Sequence, residues 1–229
     1  MSFELAVRLS EVLLGFALVQ QSAEYIATQR RERLIFIFRL GLSLLLMSGV
    51  WSHVVVWLLF GVALYMLWRF QGPYNGGSDK MTLLILTCLA LVHAAPEPRW
   101  QELAFGYLAM QLILSYVVSG WIKLRNPEWR DGGALADVFR FSAYPVSKAL
   151  RGWSNRPRVL FAASWAVILF ELVFPLGLLH PIALLVALLI AAAFHFSNAC
   201  FFGLNRFFWI WISAYPALIW FQGRIFGGI

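Results

Sequence analysis

Apolar stretches recur along the chain at 3–25, 34–50, 54–70, 80–94, 100–122, 159–179, 181–200 and 206–222, joined by polar connections that are mostly short. A helix rises 1.5 Å per residue, so about 20 residues cross the ~30 Å hydrocarbon layer of a bilayer. Lipid offers no partner for a backbone N–H or C=O, so each crossing segment must satisfy its own and becomes helical. Hydrophobic residues make up 61% of the chain and charged ones 13%, a balance that excludes water as the solvent. The expected fold is all-α: a polytopic transmembrane helical bundle of about eight spans. Residues 1–229 read as a single domain, with no repeat of fixed period.

The net charge of +7 does not point to nucleic acid, because the basic residues lie in the connections between apolar runs. There they act as topology signals and contact lipid headgroups. Placing the 28–33 loop inside gathers Arg30, Arg31, Arg33, Lys80 and the bases of the long 123–157 loop on one face. That asymmetry suits a bacterial cytoplasmic (inner) membrane, with the long basic loop cytoplasmic and both termini outside. In that loop Phe139, Phe141, Tyr144 and Trp153 alternate with Arg140, Lys148, Arg151 and Arg156, as in an amphipathic segment lying in the headgroup region between the fifth and sixth spans. Cys88 and Cys200 sit inside apolar runs with no CxxC spacing and are expected to be reduced.

Polar residues inside such runs are costly and need partners or a function. Glu4, Arg8, Glu11 and Gly15 fall on one face of the first helix, which should turn into the bundle as a charge network. They also interrupt the apolar run, which argues against a cleavable signal. Glu171 lies mid-span before Pro175 and needs a partner, for which Arg8 or a histidine is available. Arg39, Asn75, Asp79, Lys123, His195 and Asn198 fall toward one half of the membrane and mark a pocket candidate. Lys123 ends a span, where it acts either as an amine whose protonation burial can tune or as a lysine that snorkels to the headgroups. The Tyr74–Asp79 linker, with Gly76 and Gly77, is either a turn with a helix cap or a backbone cradle for a ligand. His53, His93 and His180 lack ligand spacing, so no metal site is expected. No hydrolase, zinc-protease or phosphate-loop motif occurs.

Three blocks carry a resemblance: Tyr74-Asn75-Gly76-Gly77-Ser78-Asp79; Tyr116-Val117-Val118-Ser119-Gly120-Trp121-Ile122-Lys123-Leu124 running on to Trp129-Arg130-Asp131-Gly132; and Phe194-His195-Phe196-Ser197-Asn198 through Arg206 to Tyr215-Pro216. Together they resemble the HTTM family, whose best-known relative is the membrane part of vitamin K-dependent γ-glutamyl carboxylase. The resemblance implies that Lys123 is a base acting on a quinone or hydroquinone, or on another lipid-soluble small molecule. His195 is the second catalytic candidate, with Arg39, Asn75, Gly76, Gly77, Asp79, Trp129, Asp131 and Asn198 around the substrate. Asn75-Gly76-Gly77 stands where the carboxylase reads Asn-Asn-His, so quinone binding is expected without carboxylation of a protein substrate. Beside this enzyme reading stand a membrane scaffold or maturation partner for a secreted peptide and, with less support, a transporter that uses Glu171 and the first-helix charges as a relay.

Overall fold

The computed structural model describes residues 1–28, 31–69, 77–142 and 147–227. Among them every regular element is helical: α1 (Phe3–Thr28), α2 (Arg33–Ser48), α3 (Ser52–Arg69), α4 (Gly77–Ala94), α5 (Pro98–Arg125), α6 (Pro127–Arg130), α7 (Gly133–Phe141), α8 (Pro157–Val173), α9 (Pro181–Phe202) and α10 (Asn205–Phe226), with 3₁₀ segments at Lys148–Asn155 and Phe174–Leu179. Helix ends follow local chemistry. Pro157 and Pro181 open α8 and α9, where a missing N–H costs nothing. Gly49 closes α2 and Gly203 closes α9 in the left-handed conformation, at φ 82° and 68°, and each donates its N–H back to the last turn.

Five helical segments among the described residues are long and apolar enough to cross a membrane: Ser52–Arg69, Gly77–Ala94, Pro98–Arg125, Pro157–Leu179 and Pro181–Phe202. The protein is thus an integral membrane protein by the length and composition of its helices. The expected eight are not all of this kind. α1 is interrupted by Glu4, Arg8 and Glu11, α2 has only 16 residues, and α10 carries Arg206, Gln222 and Arg224 among its aromatics. On α9, Ile182 is 65% exposed and Leu189 70%, an apolar surface of the kind lipid covers.

Contacts divide the chain into two compact units, Met1–Met110 with Arg206–Ile229, and Gln111–Asn205. In the first, α2 packs along α1, and Gly15 is where they meet. A Cβ there would lie 2.6 Å from Met47 Cγ and 2.9 Å from the Ser43 carbonyl oxygen. Phe3, Phe105 and Trp220 form an edge-on aromatic cluster in the same unit, with centroids 5.3–5.7 Å apart.

In the second unit the long loop is largely structured. Phe139 of α7 is buried with Leu160 and Phe202, while Phe141 is 70% exposed. Tyr144 lies outside the described residues. Gly132, at φ 87°, lets α7 turn against α8, where a Cβ would lie 2.8 Å from the Phe161 backbone nitrogen. The neighbouring carbonyls are used as well: Trp129 accepts from the Ser164 hydroxyl, and Arg130 accepts from the Trp165 indole at 3.0 Å. The Trp129-Arg130-Asp131-Gly132 stretch is thus a joint that docks the loop on α8.

Candidate functional site

In the second unit, Tyr116, Ser119, Gly120 and Lys123 follow one another at three-, one- and three-residue steps and share one face of α5. Gly120 is the point of closest approach to α8. A Cβ there would stand 2.9 Å from Glu171 Cβ and 3.1 Å from the Leu172 backbone nitrogen. That approach brings Lys123 Nζ to 2.8 and 2.7 Å from the two Glu171 carboxylate oxygens. Nζ also donates to Ser119 Oγ at 2.5 Å, and Ser119 donates to Glu171 Oε1 at 3.1 Å. Side-chain exposure is 14% for Lys123 and 3% for Glu171. Lys123 is therefore no snorkelling lysine: its amine is turned inward and held in a closed triad. The Trp129 ring lies 5.2 Å from Nζ, within cation–π range.

Two turns earlier on the same α5 face, the Tyr116 hydroxyl is 2.9 Å from His195 Nε2 of α9. Both side chains are buried, and Tyr116 packs on Phe170 of α8 and on Phe174 at the start of the 3₁₀ segment that follows it. Asn198, half-buried one turn after His195, uses its backbone carbonyl to close α9, accepting from the Leu204 N–H. Asp131 is exposed and its Oδ1 accepts from the Gly133 N–H at 2.7 Å, which makes it part of the turn.

The first unit holds the other candidates. Arg39, 6% exposed, donates from Nε to Ser22 Oγ at 2.9 Å and lies against the Tyr25 and Phe36 rings. It sits well inside α2. With Gln21, Asp79, Lys80 and Thr82 it lines a cavity whose remaining walls are apolar, from Leu18, Leu59 and Leu86 among others. Gln21 Nε2 is 3.4 Å from Asp79 Oδ1. Gly77 begins α4 against Phe207, whose ring a Cβ would meet at 3.0 Å. Asn75 and Gly76 lie outside the described residues.

The first-helix charges form their own cluster. Arg8 donates to Glu11 at 2.8 Å and to the carbonyls of Leu46 and Met47 at the end of α2. Glu11 also meets Ser52 at 3.2 Å and His93 at 2.6 Å. Glu4 is exposed on α1. The partner of Glu171 is Lys123, not Arg8 or a histidine. Ser119 and Tyr116, which complete the α5 face, were visible inside the Tyr116–Leu124 block, but their partners Glu171 and His195 lie 52 and 79 residues away.

Residues 88–222 match the family model for the HTTM domain. No curated protein and no solved structure matches the chain.

Proposed function

The chain belongs to the HTTM domain family, associated with the membrane part of γ-glutamyl carboxylase-like proteins, and from that premise we propose that it is a membrane-embedded enzyme whose Lys123 removes a proton from a lipid-soluble, weakly acidic substrate of the hydroquinone class. The observation that carries this reading is the Lys123–Ser119–Glu171 triad between two membrane-crossing helices. A cation and an anion at hydrogen-bond distance in an apolar layer can exchange one proton without changing the net charge of the site. The Nζ proton passes to the Glu171 carboxylate, leaving a neutral amine beside a neutral acid. That amine then takes the substrate's hydroxyl proton, and the restored ammonium lies beside the substrate oxyanion. Trp129 offers a ring next to the amine, and His195 with Tyr116 is a second proton-bearing pair on the same α5 face.

We place the protein in a bacterial cytoplasmic membrane with the long basic loop inside, and count α1, α2 and α10 with the five apolar segments as eight spans. The test uses Lys123→Arg in purified protein. Arginine keeps the charge and the pairing with Glu171 but sheds no proton at accessible pH. Wild-type protein should accelerate dioxygen consumption by a short-chain naphthohydroquinone, since deprotonation is what primes that oxidation, and Lys123→Arg should lose the effect while remaining folded. Equal rates would retire the base role.

A second reading, a scaffold or maturation partner for a secreted peptide, draws on the same triad. All donors and acceptors in it are mutually engaged, so it also serves as a pin between α5 and α8. Mass spectrometry of molecules copurifying with the protein separates the two, a quinone favouring the enzyme and a peptide the scaffold.

A further inference from the structure

Arg39 is a buried cation whose hydrogen-bonding capacity is not filled by the described residues. Its Nε is taken by Ser22, while Nη2, fully enclosed, meets no acceptor among them. A buried guanidinium N–H left without an acceptor carries the desolvation cost of a charged donor, which a ligand oxygen would relieve. The guanidinium cannot easily turn away, being held by Ser22 and lying 5.1 Å from the Phe36 ring centroid and 5.8 Å from that of Tyr25.

The cavity that Arg39 lines is narrow, with a volume of about 40 Å³, and is partly open to the outside. Its polar lining residues are Gln21, Arg39, Asp79, Lys80 and Thr82, and its apolar walls include Leu59 and Ala63. Among the described residues, Arg39, Asp79 and Lys80 leave one net positive charge there. Asp79 faces Gln21 at 3.4 Å, and Lys80 is exposed at the edge. A neutral lipid tail alone would leave the enclosed N–H uncompensated. From this we infer that the α1–α4 cavity is a binding site for an amphiphile with an oxyanion head, a carboxylate or a phosphate, seated on Arg39 with its apolar chain between α3 and α4. The site goes beyond the proton-abstraction reading and needs nothing from Lys123.

The probe is a diazirine-bearing fatty acid, photolysed with the full-length protein in detergent and mapped by peptide mass spectrometry. Labelling is expected on the α3 and α4 walls, near Ala63 and Leu83. Oleate or phosphatidylglycerol should suppress it, the stronger competitor identifying a carboxylate or a phosphate head, whereas methyl oleate and diacylglycerol should compete roughly tenfold less well, the factor set by one charge-assisted hydrogen bond. Arg39→Gln should lower labelling by a similar roughly tenfold factor. If that variant does not fold, Ala63→Trp decides, because it keeps Arg39 and fills the space beside it, and labelling should fall to background. Equal competition by the neutral esters, unchanged labelling in either folded variant, or labelling confined to outer helix faces would each overturn the site.

Discussion

Arg8 and Lys123 each face a glutamate whose side chain is 3% exposed, yet the two clusters are built differently. Arg8 is one-third exposed and spreads its donors over Glu11 and two carbonyls at the C-terminus of α2, while Glu11 reaches on to Ser52 of α3 and His93 of α4. Arg8 and Glu11 together tie α1 to three other helices, and arginine suits the task because its planar fork serves several acceptors at once. Lys123 concentrates one amine on one carboxylate and one hydroxyl across a single helix pair. A compact ammonium that can give up its proton suits exchange more than fastening. The difference teaches that a buried ion pair is read from how its partners are distributed, not from its presence.

The comparison can be broken most forcefully at Lys123. Lys123→Ala leaves Glu171 without its cation in an apolar layer and should cost about 3–5 kcal/mol, seen as a large fall in thermal unfolding temperature in detergent. A second substitution sharpens the result: Lys123→Met with Glu171→Leu should recover most of that loss, because an apolar pair of similar volume is often as stable as a buried ion pair. Arg8→Ala should cost less than Lys123→Ala, below the about 3–5 kcal/mol of a broken buried pair, since Arg8 is partly solvated and Glu11 keeps Ser52 and His93. If Arg8→Ala proves the more damaging, the assignment of fastening and exchange to the two sites reverses.

Gly120→Ala forces α5 and α8 apart and should cost about 1–3 kcal/mol. It should also lower any Lys123-dependent turnover by more than its stability loss explains, because it lengthens the contact with Glu171. Gly132→Ala meets the Phe161 backbone at a left-handed φ and should destabilise by a similar amount, but without that extra loss of turnover. The smallest effect belongs to Tyr116→Phe, which removes the bond to His195 and should cost about 1 kcal/mol or slightly more in a thermal melt.

Much of the architecture could be read along the chain because bilayer thickness and backbone hydrogen bonding act locally. The all-helical class, five of the eight expected spans as helices long and apolar enough to cross, and the family resemblance in the Tyr116–Leu124 and Trp129–Gly132 blocks all follow from local sequence. Lys123 and His195 could be singled out the same way, as polar residues set in apolar runs. Their partners could not. Glu171 demanded a counter-charge, for which the sequence offered Arg8 or a histidine, and only the close approach at Gly120 brought Lys123 to it. The charge face of α1 was legible through its spacing, whereas its attachment to Ser52 and His93 depended on how α3 and α4 return past it. Arg39 stood out as a polar residue inside an apolar run; within the first unit it lines a cavity with Gln21 and Asp79, which meet only when α1, α2 and α4 pack together. Spacing along a helix determines which side chains share a face, and packing between helices determines what that face meets.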